Sequence, residues 1–357
     1  MELITNLKAF FLKKLTYKIP VNFELKDTGT ILFMRYDRIG DMIISTPVFR
    51  ELKLAYPKIS ISVLASKFNS EILRNNPYVD DVIINNKNSL IGDLKSLILL
   101  RKNKFDVCIE FDHSVVPHAI IRLKIIKPKY IISIYKDGRY GVNGSDLRLY
   151  NFFTENKKNM HLRDKWLETL IPFNILPKSK KYDIFYSPIQ NKNAKFFLKK
   201  YSGKLLIGIN LEGMVKGKKI ELIELEKICK QLYLFYNNIQ IIVLSSPEKN
   251  LYISNKIQKM NLNFVSTSYT TDTILDVAAL IDKLDLIITP DTSIVHIASA
   301  YNKPLVSIHE DNRDSYKLFA PTSKLNRTVF SKSKNSLKGF SVDLLIRYCC
   351  ELINIIK

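Results

Sequence analysis

Short apolar runs alternate with helical stretches twice along this chain, and a polar, proline-bearing stretch separates the two series. In the first series residues 31–35, 60–65, 81–84, 106–111 and 130–134 suit strands. Residues 41–56, 68–75, 90–102 and 115–126 lie between them and suit helices. Runs so short and so continuously apolar belong to strands buried on both faces, which means a parallel sheet covered by helices. The second series offers strands at 205–210, 239–244, 263–266, 284–289 and 304–308, with helices at 221–236, 248–260, 271–280 and 293–301. A last helix is expected at 341–356, capped by Ser341. The pattern predicts an α/β protein of two halves, with a ligand cleft between the carboxyl ends of two parallel sheets.

The boundaries follow from the same pattern. Residues 1–25 form an N-terminal segment, 26–175 a first domain, 176–195 a linker, 196–340 a second domain and 341–357 a C-terminal helix. Residues 135–159 read as a long polar loop and 160–170 as a helix. Pro172, Pro177 and Pro188 mark the region of the linker. A length of 357 residues suits two cores rather than one.

A net charge of +21 predicts attraction to something anionic: nucleic acid, an acidic membrane surface or phosphorylated substrates. The four cysteines, Cys108, Cys229, Cys349 and Cys350, have no metal-ligand spacing and read as buried thiols. No apolar run approaches the length of a transmembrane helix, and no signal-peptide pattern is present. At the N-terminus Leu3, Leu7, Phe10, Phe11 and Leu15 recur at helical spacing, with Lys8, Lys13 and Lys18 mostly off that stripe. Such a helix either lies on an anionic bilayer surface or packs on the body of the protein.

Three clusters could carry chemistry. Residues 35–41 read RYDRIGD after the first strand. Asp41 can cap the following helix or act as a general base on a sugar hydroxyl. Asp37 and Arg38 can bind ligand or solvent. Residues 290–300 read PDTSIVHIASA after a strand, so Asp291, Thr292 and Ser293 open a helix. They serve either as plain N-capping or as a seat for a diphosphate. His296, one turn on, is either a core histidine or a ligand contact. After Asn210 come Glu212, Gly213, Lys216, Gly217, Lys218 and Lys219, a loop able to neutralise a phosphate leaving group or simply to be solvated.

Together these clusters resemble glycosyltransferase family 9, the ADP-heptose:lipopolysaccharide heptosyltransferases. The stretch ILFMRYDRIGDMIISTPVFRELKLAYP is similar to the family's opening strand, turn and helix, and PDTSIVHIASAYNKPLVSI to its second signature. The resemblance omits about the first 25 residues. It implies a GT-B fold, two Rossmann-like domains facing across a cleft, the first binding acceptor and the second nucleotide sugar.

The resemblance also implies roles. Asp41 matches the catalytic base and Lys218 the lysine that stabilises the donor phosphates, eight residues after Asn210. Asp291, Thr292 and His296 match donor-binding positions, Asn210 and Ser293 are expected to bind the donor beside them, and Glu248 matches a ribose-binding glutamate. Arg38, His161 and Arg163 fall on the acceptor side. The chain departs from the family at Ser293, at Lys219-Ile220-Glu221 and at Ser307-Ile308-His309-Glu310-Asp311.

The function so implied is an inverting transfer of a sugar, heptose from ADP-heptose, to lipopolysaccharide core or a related surface glycan. No cofactor and no metal are expected, since Lys218 and the helix dipole would hold the departing charge. The expected partners are a nucleotide-sugar donor, an anionic glycolipid acceptor and the anionic inner-membrane surface, and not nucleic acid. The chain is expected to be cytoplasmic and peripheral on that membrane. The rival readings are a GT-B-like sugar-nucleotide epimerase, a basic nucleic-acid-binding protein and a catalytically dead relative.

Overall fold

The computed structural model describes residues 2–16, 24, 29–85, 90–211, 213 and 217–357. For residues 2–6, 8 and 90–93 it describes the backbone alone. The chain divides into two compact units, Met1–Lys181 and Tyr182–Lys357.

In the first unit helix α1 (Glu2–Leu15) precedes strand β1 (Thr30–Arg35), α2 (Ile39–Ala55), β2 (Ser60–Ala65) and β3 (Asp81–Ile84). Then follow α3 (Leu90–Lys102), β4 (Val107–Glu110), α4 (Pro117–Ile126), β5 (Tyr130–Ser133), β6 (Phe152–Phe153) and α5 (Leu162–Leu167). All six strands form one sheet, in the order β3-β2-β1-β4-β5-β6, and every pairing is parallel. Ile31, Leu32 and Phe33 of β1 are fully buried, as a central parallel strand requires.

One face of this sheet carries Leu32, Met34, Cys108 and Ile131, covered by Leu97 and Leu100 of α3, by Ala119, Ile120 and Leu123 of α4, and by Ala9 and Leu12 of α1. The N-terminal helix therefore packs on the body through one side. Of the stripe expected there, the side chains of Leu3 and Lys8, and Lys18 altogether, lie outside the described residues.

The second unit repeats the plan. It runs α6 (Pro188–Leu198), β7 (Leu205–Asn210), α7 (Leu222–Phe235), β8 (Ile239–Leu244), α8 (Pro247–Met260), β9 (Val265–Thr267) and α9 (Ile274–Ile281). It ends with β10 (Leu286–Pro290), α10 (Ser293–Ala300), β11 (Leu305–His309), α11 (Arg313–Phe319), β12 (Asn326–Phe330) and α12 (Val342–Ile356). The sheet order is β12-β11-β10-β7-β8-β9. Counted within each unit, both sheets read 3-2-1-4-5-6, the doubly wound Rossmann order. The strand order reverses between β1 and β4 in the first sheet and between β7 and β10 in the second. Such reversal points open a crevice at the carboxyl edge, where ligands of this architecture bind.

Two boundary expectations change. The expected linker, 176–195, is not a free connector. The buried pair Arg50 and Glu51 of α2 clamps its first part: Arg50 donates to the carbonyls of Lys181 and Ser179 at 2.8 and 2.7 Å. Glu51 accepts from the amides of Lys178 and Ser179 at 2.7 and 3.2 Å. Its last part is helical because Ser187 and Gln190 form a capping box with Pro188 at the first helical position. Nor is the C-terminal helix a separate piece. Leu345, Cys349, Leu352 and Ile353 of α12 are fully buried in the second unit's core. No helix among the described residues is long and apolar enough to cross a membrane.

Candidate active site

Asp41 stands in the first turn of α2, at the carboxyl end of β1. It is not the helix cap: that position is Arg38, whose side chain makes no capping bond. Its carboxylate is held instead by Arg35, with Nη2 at 3.1 Å from Oδ1, while the other terminal nitrogen reaches Asp37 at 3.1 Å. Arg35 is 5% exposed, and its guanidinium lies over the Trp166 ring at 4.4 Å. Trp166 packs on Phe111, Phe111 on Phe33, and Phe33 on Phe49, with centroids 5.2, 5.8 and 4.7 Å apart. A chain of aromatic rings from α2 through the sheet to α5 thus fixes the arginine that aims Asp41.

Helix α5 brings the acceptor-side candidates to the flank of α2. His161 caps it, Nδ1 accepting from the Arg163 amide at 3.0 Å. The Arg163 guanidinium lies 3.3 Å from Asp164. Arg38 is exposed.

The same edge holds a second carboxyl group. Glu110, fully buried at the end of β4, is paired with Lys136 and accepts from Tyr150 Oη at 3.2 Å. Burial opposes its charge, but Lys136 and the hydrogen bonds outweigh that and hold its carboxyl below the usual range. Neighbouring Asp112 is pushed up to about 8, first by burial and then by the charge of Glu110. Two carboxyl groups this close resist ionising together, and of the pair Asp112 is the one more readily protonated. The first edge therefore carries one arginine-held carboxylate and a second, mutually engaged carboxyl pair, Glu110 and Asp112.

The second edge is built around Thr292, the cap of α10, whose hydroxyl accepts from the Ile294 amide at 3.3 Å. Asn210, at the end of β7 and 5% exposed, donates to Thr289 Oγ1 at 3.0 Å and to Thr292 Oγ1 at 3.2 Å. Asn210 is thus a strap between β7 and the head of α10. Ile220 donates to the Leu211 carbonyl at 2.7 Å, which returns the lysine loop to the strand end. There Lys218 meets Asp291 at 2.5 Å and Glu310 at 3.6 Å. A methyl group on Gly213 would lie 2.6 Å from Thr292 Cγ2, so only glycine lets the loop come this close. Glu212 and Lys216 lie outside the described residues.

Burial works against the charge of Asp291. His309, Lys218 and His296 together overcome it and hold the carboxyl below its ordinary range. Ser293 is half-buried at the first helical position. Glu248 is exposed in the first turn of α8 and takes no part in this hydrogen-bonded cluster.

Two histidines lie beneath the cluster. His296 is 4% exposed and His309 is 3% exposed. His296 Nδ1 and His309 Nε2 have no hydrogen-bond partner among the described residues. His309 Nδ1 is 3.8 Å from Asp291 Oδ1. Burial drives each imidazole from 6.5 down to about 4. Both are neutral at pH 7 in the folded chain. Below pH 6.5 the unfolded chain takes up these protons and the folded one does not, so stability falls with pH until about pH 4. At pH 5 the expected loss is about 2 kcal/mol per histidine. Thermal unfolding of the intact chain and of His309→Phe at pH 7 and pH 5 checks this. The variant should lose visibly less; equal losses would exclude His309 as a source.

The site departs from what spacing alone suggested in its supports: Arg35, Trp166, Asp112, Thr289 and Glu310. The one local signal was an arginine and a glutamate closing otherwise apolar strands, which buried strands tolerate only when paired.

Sequence and structure comparisons identify the family and the fold. The sequence model of glycosyltransferase family 9 (heptosyltransferase) matches residues 99–342. Lipopolysaccharide core heptosyltransferase OpsX of Haemophilus influenzae is 23% identical over 314 residues, covering 87% of this chain and 87% of that protein. A glycosyl transferase family 9 structure from Veillonella parvula superposes with a TM-score of 0.76 at 16% identity, covering 93% of this chain and 99% of the other. Escherichia coli heptosyltransferase WaaC with ADP superposes at 0.69 with 13% identity, covering 90% and 99%. With the family model spanning most of the chain and both sheets carrying polar clusters at their reversal points, the protein belongs to glycosyltransferase family 9 and is a glycosyltransferase.

Proposed function

We propose that the chain transfers heptose from ADP-heptose, with inversion, to the core of lipopolysaccharide. The observation that carries this reading is the pair of polar clusters at the two carboxyl edges. One presents a carboxylate fixed by Arg35, the other a lysine and a capped helix end. Asp41 takes the proton of the acceptor hydroxyl as its oxygen attacks the anomeric carbon. Lys218 and the head of α10 receive the charge growing on the departing diphosphate, so no metal is assigned a part. A single displacement inverts the anomeric centre. Asn210 and Thr289 act as positioning residues, because they are buried and reach Thr292 rather than open space.

An adenine nucleotide is the base favoured here, because the similar WaaC structure holds ADP. The acceptor is read as an anionic glycolipid from the names of the relatives, and its phosphates suit a chain of net charge +21. A lipid-borne acceptor also places the protein at the cytoplasmic face of the inner membrane. The epimerase alternative is the weaker one, since the matching family is one of transferases.

Thermal-shift measurements against a panel of nucleotide sugars test the donor. ADP-heptose at about 100 times its dissociation constant should stabilise the fold by about 3 kcal/mol, and ADP alone should also stabilise it. Stabilisation by uridine nucleotide sugars instead, with none by ADP-heptose, would overturn the assignment.

A further inference from the structure

Helix α1 is apolar on two opposite sides. Ala9 and Leu12 point into the core, whereas Leu7, Phe10 and Phe11 are 59%, 61% and 54% exposed. At about 100° per residue these two sets lie on opposite faces. A helix apolar all round is normally covered all round. Helix α3, covering the same sheet face, repeats the arrangement. Leu97 and Leu100 are buried, while Leu94, Ile98 and Leu99 are 48%, 48% and 60% exposed. Ile121 of α4, which packs against both α1 and α3, is 47% exposed.

The charges identify what covers this face. Among the described side chains of α1, α3 and α4 that reach solvent, every charged one is basic: Lys13, which also meets Asp146 at 3.2 Å, Lys14, Lys95, Arg101, Lys102 and Lys124. The side chains of Glu2 and Asp93 lie outside the described residues, and Arg122 is buried. A protein surface of mixed charge is a poor match for this pattern. An anionic lipid surface matches both parts, with acyl chains for the leucines and phenylalanines and headgroups for the lysines. None of the three helices is long and apolar enough to span a bilayer, so the contact is interfacial.

We propose that the outer face of α1, α3 and α4 is a docking surface for an anionic bilayer. The inference deepens the reading of a membrane-borne acceptor, but the surface itself needs neither donor nor acceptor.

The test is sedimentation of the full chain with vesicles of phosphatidylcholine alone or with phosphatidylglycerol. Binding is expected only to the anionic vesicles and should weaken steeply with salt. The triple variant Leu7→Ser, Phe10→Ser, Phe11→Ser and, separately, Leu94→Ser with Ile98→Ser should each weaken binding about tenfold or more. Arg101→Glu with Lys102→Glu should do the same without touching an apolar group. All these side chains are exposed, so melting temperatures should stay within a few degrees of the parent.

Failure of the parent to bind, or binding unchanged in all three variants, would overturn the proposal. So would a dimer of the parent that the triple variant dissociates while vesicle binding persists, since the face would then be an interface between copies. Transfer to a short water-soluble acceptor fragment should be unchanged in every variant. Loss of vesicle binding with such transfer intact therefore separates this surface from the catalytic reading.

Discussion

Asp41→Asn is expected to lower the transfer rate by about three orders of magnitude while leaving the fold and the donor affinity intact. General-base catalysis contributes about 100- to 10,000-fold, and the amide removes the base without changing the shape of the side chain. Stability should hold because Asp41 does not cap α2, and Arg35 keeps its bond to Asp37 at 3.1 Å and its stack on Trp166. The comparison that gives the result its meaning is Asp37→Asn. That carboxylate binds the same guanidinium but sits on the more exposed side, at 37% against 15%. It should cost far less than tenfold. The measurement is single-turnover transfer with donor bound in advance, so that chemistry is read apart from binding. Near-parental transfer by Asp41→Asn would remove the residue from the mechanism, and equal losses in both variants would reduce it to a partner of Arg35.

Much of this architecture was legible in the chain because buried parallel strands must be apolar on both faces. The strands at 60–65, 81–84, 205–210 and 239–244 fall at the ends read from the sequence. The missed elements lie where that rule weakens. Phe152–Phe153 is too short to form a run, and β12 reads NRTVF with one buried side chain, as an edge strand can. Helix α11 has no buried residue to set a period. Of the site, the residues that terminate strands and begin helices were visible, because their neighbours fix where the backbone turns. The partners were not. Nothing in the spacing tells that Arg35 stacks on Trp166, more than a hundred residues away, or that Lys136 folds onto Glu110 beside Asp112. Side-chain partnerships across a sheet depend on tertiary placement, which local propensity does not encode.

Opposite signs are expected for two substitutions in the second unit. Lys218→Ala should weaken ADP binding by about 30- to 100-fold, and Glu310→Gln should strengthen it by about three- to tenfold. A charge-assisted hydrogen bond to phosphate contributes about 2–3 kcal/mol, which sets the first figure. The second arises because Lys218 is already engaged, by Asp291 at 2.5 Å and Glu310 at 3.6 Å. An arriving diphosphate must compete with two carboxylates for one ammonium group, so removing the charge of Glu310 removes part of that competition and part of the repulsion. Asp291 cannot be removed as cleanly, because its carboxylate faces the buried His309 at 3.8 Å as well as Lys218. Calorimetry with ADP at fixed ionic strength reads both effects. An unchanged affinity in Lys218→Ala would show that the lysine serves Asp291 and not the donor. Weaker binding in Glu310→Gln would show that Glu310 orients the lysine toward the diphosphate, since loss of a mere competitor cannot reduce affinity.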